Sequence, residues 1–180
     1  MPSVVTVFAP GFEEIEAVTF IDLLRRAGVT VTVLGLDSSE VTGSHNITIT
    51  ADGLFKNFSG PFDGIVLPGG MPGTKNLANS VPLLDLIRQT HKRGGLCAAI
   101  CAAPIVLGKA GILAGRRATC YPGCEKDLGG AEFMEQEVVR DRNIITSRGV
   151  GTAIPFALEL ISYLVNPETS AKVRKSIVYK

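Results

Sequence analysis

Cys101 lies where its thiol could act as a nucleophile. It follows the apolar run Leu96–Ile100 and precedes Ala102, Ala103 and Pro104, within the stretch GGLCAAICAAP. Small residues in place of branched ones indicate a tight turn from a strand into a helix, whose first N–H groups would stabilise a thiolate. Taken alone, a cysteine at such a position is more often a small packing residue, so a partner must be sought.

Glu16 is a candidate for that partner. A helical pattern covers residues 13–27, and at ~100° per residue it places Glu16 between Leu23 and Ala27, inside the apolar stripe. Burial there raises a carboxyl pKa, so that Glu16 holds a proton near neutral pH and donates a hydrogen bond. From the helix alone, an acid that bends out to water is the alternative.

The elements that must position these residues alternate between buried strands and helices. This pattern predicts a mostly parallel sheet covered on both faces, in one domain spanning residues 1–180. We expect strands at 3–9, 29–36, 44–52 (in a small hairpin), 63–70, 96–100, 117–122 and 144–149. We expect helices at 13–27, twice within 73–93, at 102–110 and at 152–164.

The C-terminal edge of this sheet is the expected site, because ligands of such sheets sit beyond the strand ends. The turn at 10–11, the Gly69-Gly70 pair and Cys101 all fall there. Peptide N–H groups of Gly69, Gly70 and Ala102 are therefore candidates for an oxyanion hole, since small residues let the backbone approach closely. We expect Cys101 to be the most acidic thiol of the four.

Composition excludes several classes of protein. The formal charge is +1, from 18 basic and 17 acidic side chains, which gives no electrostatic case for nucleic acid or an anionic membrane. No apolar run approaches the ~20 residues of a membrane span, and MPSVVTVFAP does not read as a signal peptide. We expect a cytoplasmic protein with reduced cysteines.

The cysteines and histidines do not indicate a metal site. Cys97 and Cys101 are separated by ~13 Å of strand, too far for one tetrahedral zinc ion. Cys97 is expected to be a core residue, and the two later cysteines, at 120 and 124, structural or semi-exposed thiols. His45 and His91 are not compelling bases for a Cys–His dyad, so no metal or cofactor is expected.

Five segments together resemble one family. They are APGFEEIEAV, RRAGVTVTV, DGIVLPGG, AAICAAP and TSRGVGT, in an order and spacing similar to the ThiJ/PfpI superfamily, in the branch of the Parkinson-associated protein DJ-one and its bacterial relatives. The resemblance implies a flavodoxin-like α/β sandwich, usually a homodimer. It also implies a nucleophile-elbow cysteine at Cys101 hydrogen-bonded to Glu16, with an oxyanion site from Gly69, Gly70 and Ala102.

Three positions depart from the family pattern. Tyr121 stands where many relatives carry histidine, which puts a third catalytic member in doubt, although its hydroxyl could bind a substrate oxygen. His45 replaces an arginine of the hairpin, which weakens an anion contact. Ala102 replaces the histidine of the intracellular protease branch, which argues against peptidase chemistry.

Two functions follow from these residues and the resemblance. The first is a cofactor-independent glyoxalase or deglycase, in which the Cys101 thiolate attacks a small reactive carbonyl such as methylglyoxal and Glu16 transfers protons, protecting against carbonyl and oxidative stress. The alternative is a non-enzymatic redox sensor and chaperone, in which Cys101 oxidises to a sulfinate held by Glu16. Both need a thiolate beside a carboxyl group, so the sequence leaves the choice open.

Overall fold

The computed structural model describes residues 1–180. Its strands are β1 Ser3–Phe8, β2 Thr30–Gly35, β3 Glu40–Thr42, β4 Thr48–Thr50, β5 Gly53–Leu54, β6 Gly64–Leu67, β7 Leu96–Ile100, β8 Arg117–Ala118, β9 Glu132–Phe133, β10 Val138–Asp141 and β11 Ile144–Ser147. Its helices are α1 Glu14–Arg26, α2 Gly73–Asn79, α3 Val81–Lys92, α4 Pro104–Lys109, α5 Ala153–Leu164 and α6 Pro167–Ser176. No helix has the length and apolar character needed to cross a membrane.

Seven strands form the central sheet, in the order β10-β11-β7-β6-β1-β2-β5. All neighbours are parallel except β10, which is antiparallel to β11 at the edge. The chain winds outward from β1 to β2 and β5, then returns to β6 on the other side of β1. The ends of β1, β6 and β7 therefore meet at the point where the strand order reverses, which is where such sheets bind ligands.

Helices cover both faces of the sheet because its central strands are apolar on both sides. Alternate β1 residues Val4 and Phe8 belong to a core of 24 buried residues beneath α1, α5 and α6. Val5 and Val7 belong to a second core of 23 buried residues beneath α2, α3 and α4. The nearly equal cores confirm the sandwich predicted from the sequence.

The structure differs from the sequence prediction at several elements: β9 and β10 were not expected, and only Thr48–Thr50 of 44–52 is a strand. Only Arg117–Ala118 of 117–122 is a strand, because the N–H of Tyr121 is bonded to Cys101 and Pro122 has no N–H to donate. Helix α4 begins at Pro104 rather than at residue 102. Helix α6 was not expected, because its polar sequence carries only one buried residue, Val173.

Candidate active site

Cys101 occupies a sharp turn between β7 and α4. Its φ of 64° lies in the left-handed region, an uncommon conformation for a residue with a side chain, and it costs about 1–3 kcal/mol. Two backbone hydrogen bonds hold the turn: Cys101 N–H donates to Ser147 O at 2.9 Å, and Tyr121 N–H donates to Cys101 O at 2.8 Å. The elbow predicted from the small residues after Cys101 is therefore present, and neighbouring strands maintain it.

Glu16 lies on the buried face of α1. Its solvent exposure is 0%, as the helical wheel predicts. Oε2 accepts a hydrogen bond from the backbone N–H of Gly69 at 2.9 Å, whereas Oε1 is buried without a partner of ordinary geometry. Burial raises the pKa of this carboxyl to about 7, although the Gly69 N–H and the Cys101 thiol act in the opposite direction.

Gly69 brings Glu16 and Cys101 together. A Cβ atom at position 69 would lie 2.6 Å from Cys101 Cβ and 2.9 Å from Glu16 Oε2, closer than side chains normally approach. Glycine is thus required because both groups of the pair occupy the space where a side chain would be. Since its N–H is already bonded to Glu16, Gly69 is not free to donate to an oxyanion, and we restrict that role to Gly70 and Ala102.

The Cys101 thiol is not acidic while Glu16 is ionised. Burial and the negative charge of Glu16 raise the pKa of the thiol to about 12, whereas the N–H groups of Gly70 and Ala102 lower it. Burial also raises the pKa values of Cys97 and Cys120 to about 12. While Glu16 is ionised, the pKa of Cys101 is no lower than those of Cys97 and Cys120, and this state gives no support to the expectation that Cys101 is the most acidic of the four thiols.

The proton shared by the pair can lie on either group. When Glu16 keeps it, the carboxyl is neutral and its charge no longer opposes a thiolate, while the Gly70 and Ala102 N–H groups still favour one. The two groups must then be treated as one site that loses its protons in two steps. This arrangement can supply both a sulfur nucleophile and an adjacent acid.

A cavity of about 660 Å³ opens in front of Cys101. Its walls include Gly70, Ala102 and Tyr121, so three of the residues predicted from the sequence line the same cavity as Cys101. Tyr121 is half-exposed, which leaves its side chain accessible to a bound molecule. Glu16 is fully buried and is not part of the cavity wall.

Sequence reasoning missed two charged residues of this cavity, Glu13 and Arg148. Glu13 is nearly buried at the start of α1, where an acid is ordinarily explained by a favourable interaction with the helix dipole. Arg148 belongs to the TSRGVGT segment, which was noted as a family motif without a role for the arginine. Its guanidinium forms an ion pair with the exposed Glu135 at 3.3 Å.

The comparison with known families decides the assignment. The model of the DJ-1/PfpI family matches residues 2–163. The chain belongs to the DJ-1/PfpI family. The resemblance seen in the five sequence segments is therefore confirmed over nearly the whole chain.

Two DJ-1/PfpI relatives and one solved structure are similar along most or nearly all of their length. Drosophila melanogaster protein dj-1beta is 42% identical over 180 residues, covering 98% of this chain and 96% of the fly protein. The crystal structure of Drosophila melanogaster DJ-1beta superposes with a TM-score of 0.96 at 40% identity, covering 99% of this chain and 98% of the other. A Caenorhabditis elegans relative named glutathione-independent glyoxalase DJR-1.2 is 36% identical over 168 residues, covering 92% of this chain and 89% of the nematode protein.

His45 does not join Cys101 in this DJ-1/PfpI chain. Its Nδ1 lies 3.0 Å from Oε2 of Glu14 and 3.5 Å from Oε2 of Glu13, and these three side chains form the one group that could hold a metal ion. Hydrogen bonds from His45 and Ile47 already satisfy the Glu14 carboxylate. His91 lies beside Asn143, and neither histidine lines the Cys101 cavity.

Proposed function

We propose that this protein is a cofactor-independent glyoxalase that converts 2-oxoaldehydes such as methylglyoxal into 2-hydroxy acids, protecting the cell against carbonyl and oxidative stress. The observation that carries the proposal is the fully buried Glu16 carboxyl beside Cys101, with its pKa raised to about 7. A general acid/base is most effective when its pKa lies near the working pH. A glutamate with only a structural role would not need its carboxyl to be buried beside a thiol.

The first step joins the substrate to Cys101. The thiolate sulfur attacks the aldehyde carbon, the C=O double bond becomes a single bond, and the oxygen takes the proton held by Glu16. The N–H groups of Gly70 and Ala102 lie beside the sulfur, where they stabilise the negative oxygen as it develops. The product of this step is a hemithioacetal, and Glu16 is left as a carboxylate.

The second step moves hydrogen between the two substrate carbons. Glu16 removes the hydrogen of the sulfur-bound carbon as a proton, giving an enediolate, and returns a proton to the neighbouring carbon. One hydroxyl proton passes between the two oxygens, so a 2-hydroxy thioester is formed without any change in total composition. Water then hydrolyses the thioester, which releases the 2-hydroxy acid and restores the Cys101 thiol.

The same residues fit a deglycase reaction on early glycation adducts. Hemithioacetals and aminocarbinols present the same carbon to Cys101, and an open cavity of about 660 Å³ has room for more than methylglyoxal. The name of the Caenorhabditis elegans relative supports the glyoxalase reaction, and that name applies to the nematode protein. We therefore place 2-oxoaldehydes first and their adducts second.

We also propose that the protein is a cytoplasmic homodimer that associates through α1. Ile15 and Val18 project from this helix with more than half of their surface exposed, and Ile47 of the β3–β4 turn is exposed beside them. These three side chains form a continuous apolar surface, the α1 patch, of the kind that marks an interface. All four cysteines are free, which suits a reducing compartment.

A steady-state assay tests the enzymatic proposal. Purified protein is mixed with methylglyoxal without glutathione, and lactate is measured for the wild type, Cys101→Ala and Glu16→Gln. We expect no turnover for Cys101→Ala and a loss on the order of 10²–10⁴-fold for Glu16→Gln, since glutamine keeps the shape but transfers no proton.

The Cys97→Ser variant is the matched control, because Cys97 is buried in the opposite core and should leave turnover unchanged. Absence of turnover in the wild type would reject the glyoxalase and leave the redox sensor. Full turnover in Glu16→Gln would reject the acid/base role while keeping the enzyme.

A further inference from the structure

A second thiol lines the cavity in front of Cys101. Cys101 and Cys124 are both part of its wall, and both are partly exposed. The other two cysteines, Cys97 and Cys120, are fully buried and do not line this cavity. Two of the four thiols therefore share one solvent-accessible space, although 22 residues lie between them in the sequence.

The backbone returns Cys124 toward Cys101 through a tight turn. The N–H of Cys124 donates to Tyr121 O at 3.0 Å, with Pro122 second in the turn and Gly123 third at a φ of 95°. Proline followed by a positive-φ glycine is the signature of a type II turn, in which the first and fourth Cα atoms lie within about 7 Å. Because Tyr121 N–H is itself bonded to Cys101 O at 2.8 Å, the turn is anchored on the elbow.

We propose that Cys124 is a resolving thiol, which converts the sulfenic acid of Cys101 into an intramolecular disulfide. A hydroperoxide first transfers its terminal oxygen to the Cys101 sulfur, giving the sulfenic acid and an alcohol or water. The Cys124 sulfur then attacks the Cys101 sulfur, the S–O bond breaks, and the oxygen leaves as water with the Cys124 proton. The two thiols together supply the two electrons that reduce the hydroperoxide.

The bond requires Cys124 to approach Cys101 while the turn stays anchored at Tyr121. Disulfides need Cα atoms within about 7 Å, and Cys124 lies at the other end of the turn from that anchor. Tyr121, Pro122 and Gly123 are exposed, and open space rather than packed core lies in front of them. Disulfide formation would then protect Cys101 from the irreversible sulfinic acid, and a dithiol would restore both thiols.

Intact-protein mass spectrometry tests this inference without any aldehyde substrate. The reduced protein is treated with two equivalents of hydrogen peroxide, one more than the disulfide consumes, and its mass is followed before and after dithiothreitol. We expect the wild type to lose about 2 Da and to regain it on reduction, with non-reducing peptide mapping linking Cys101 to Cys124. Cys124→Ser should instead gain about 32 Da as the sulfinic acid, which dithiothreitol does not reverse.

Cys120→Ser is the matched control. It removes a thiol from the same segment, but the thiol of Cys120 is buried and does not line the cavity. It should form the disulfide as the wild type does. A wild type that gains 32 Da without passing through the disulfide would overturn the inference. A 2 Da loss that persists in Cys101→Ser would also overturn it, since the bond would then join other thiols.

Discussion

The backbone N–H of Gly69 donates a hydrogen bond to Oε2 of Glu16 across 2.9 Å, and a Cβ atom at position 69 would lie only 2.9 Å from the same oxygen. This contact joins the end of β6 to the buried face of α1. The two glycines of the Gly69-Gly70 pair therefore make different contacts. Gly69 holds the carboxyl in place, and Gly70 leaves its N–H directed at the sulfur of Cys101.

Gly69→Ala should damage the site more than the fold. The added methyl must displace Cys101 or Glu16, which lie 2.6 and 2.9 Å from its position, and we expect turnover to fall on the order of 10²-fold. Overpacking of this kind should cost about 1–3 kcal/mol of stability, measured by urea unfolding. Gly60→Ala is the control, since nothing lies within 4 Å of a Cβ there. Unchanged turnover in Gly69→Ala would show that the pair tolerates displacement.

The Glu16 carboxyl should make stability fall as pH rises. Its pKa is raised from 4.5 to about 7 in the folded protein, so between these values the folded state holds a proton that the unfolded chain has released. The stabilisation is complete below pH 4.5 and is lost through pH 7, with a total change on the order of 3 kcal/mol.

Urea unfolding at pH 5 and pH 8, compared between the wild type and Glu16→Gln, measures this effect. Subtracting the two proteins removes the contribution of other titrating groups, including His45, whose imidazole pKa is raised by Glu14 and Glu13. An equal pH dependence in both proteins would contradict the raised pKa of Glu16.

Glu14 should have the opposite pH dependence. Burial raises the pKa of this carboxyl, but hydrogen bonds from His45 and Ile47 outweigh it and lower the pKa to about 2. The associated stability is present above pH 4.5 and is lost as the pH falls toward 2. Glu14→Gln should therefore cost about 1–3 kcal/mol at neutral pH and reduce the acid sensitivity of unfolding. The exposed Glu40 provides the control Glu40→Gln, which should leave both unchanged.

Val18→Asp should dissociate the proposed dimer. A charge in the centre of the α1 patch could be buried against a second copy only at a large desolvation cost. Sedimentation should give about twice 19.0 kDa for the wild type and a single chain for the variant. Val81→Asp, at another exposed valine, should remain dimeric. A wild type that sediments as one chain at micromolar concentration rejects the dimer.

Much of the site could be read from local patterns in the sequence. Glu16 was found because a charged residue within an apolar helical stripe must be buried if the helix packs through that stripe. Cys101 was found because a change from branched to small residues marks a turn at a strand end. Both inferences use only neighbours within one or two turns of the chain.

The remainder depends on contacts between distant segments. Nothing near residue 69 indicates that its N–H is taken by a carboxyl 53 residues earlier. The acidity of the thiol could not be judged from the sequence, because the sequence suggests helix N–H groups but does not show how far burial and the Glu16 charge oppose them. Arg148 and Cys124 were passed over because only the folded chain brings them to the wall of the Cys101 cavity.

Helix α1 presents Glu16 to the interior while its neighbours Ile15 and Val18 face outward. In the proposed dimer, the element that carries the acid/base would then rest on a second copy of itself. The activity of Glu16 and the association of two chains would then both depend on the position of helix α1. Specific activity should accordingly depend on enzyme concentration, falling on dilution together with the particle mass and recovering when the sample is concentrated.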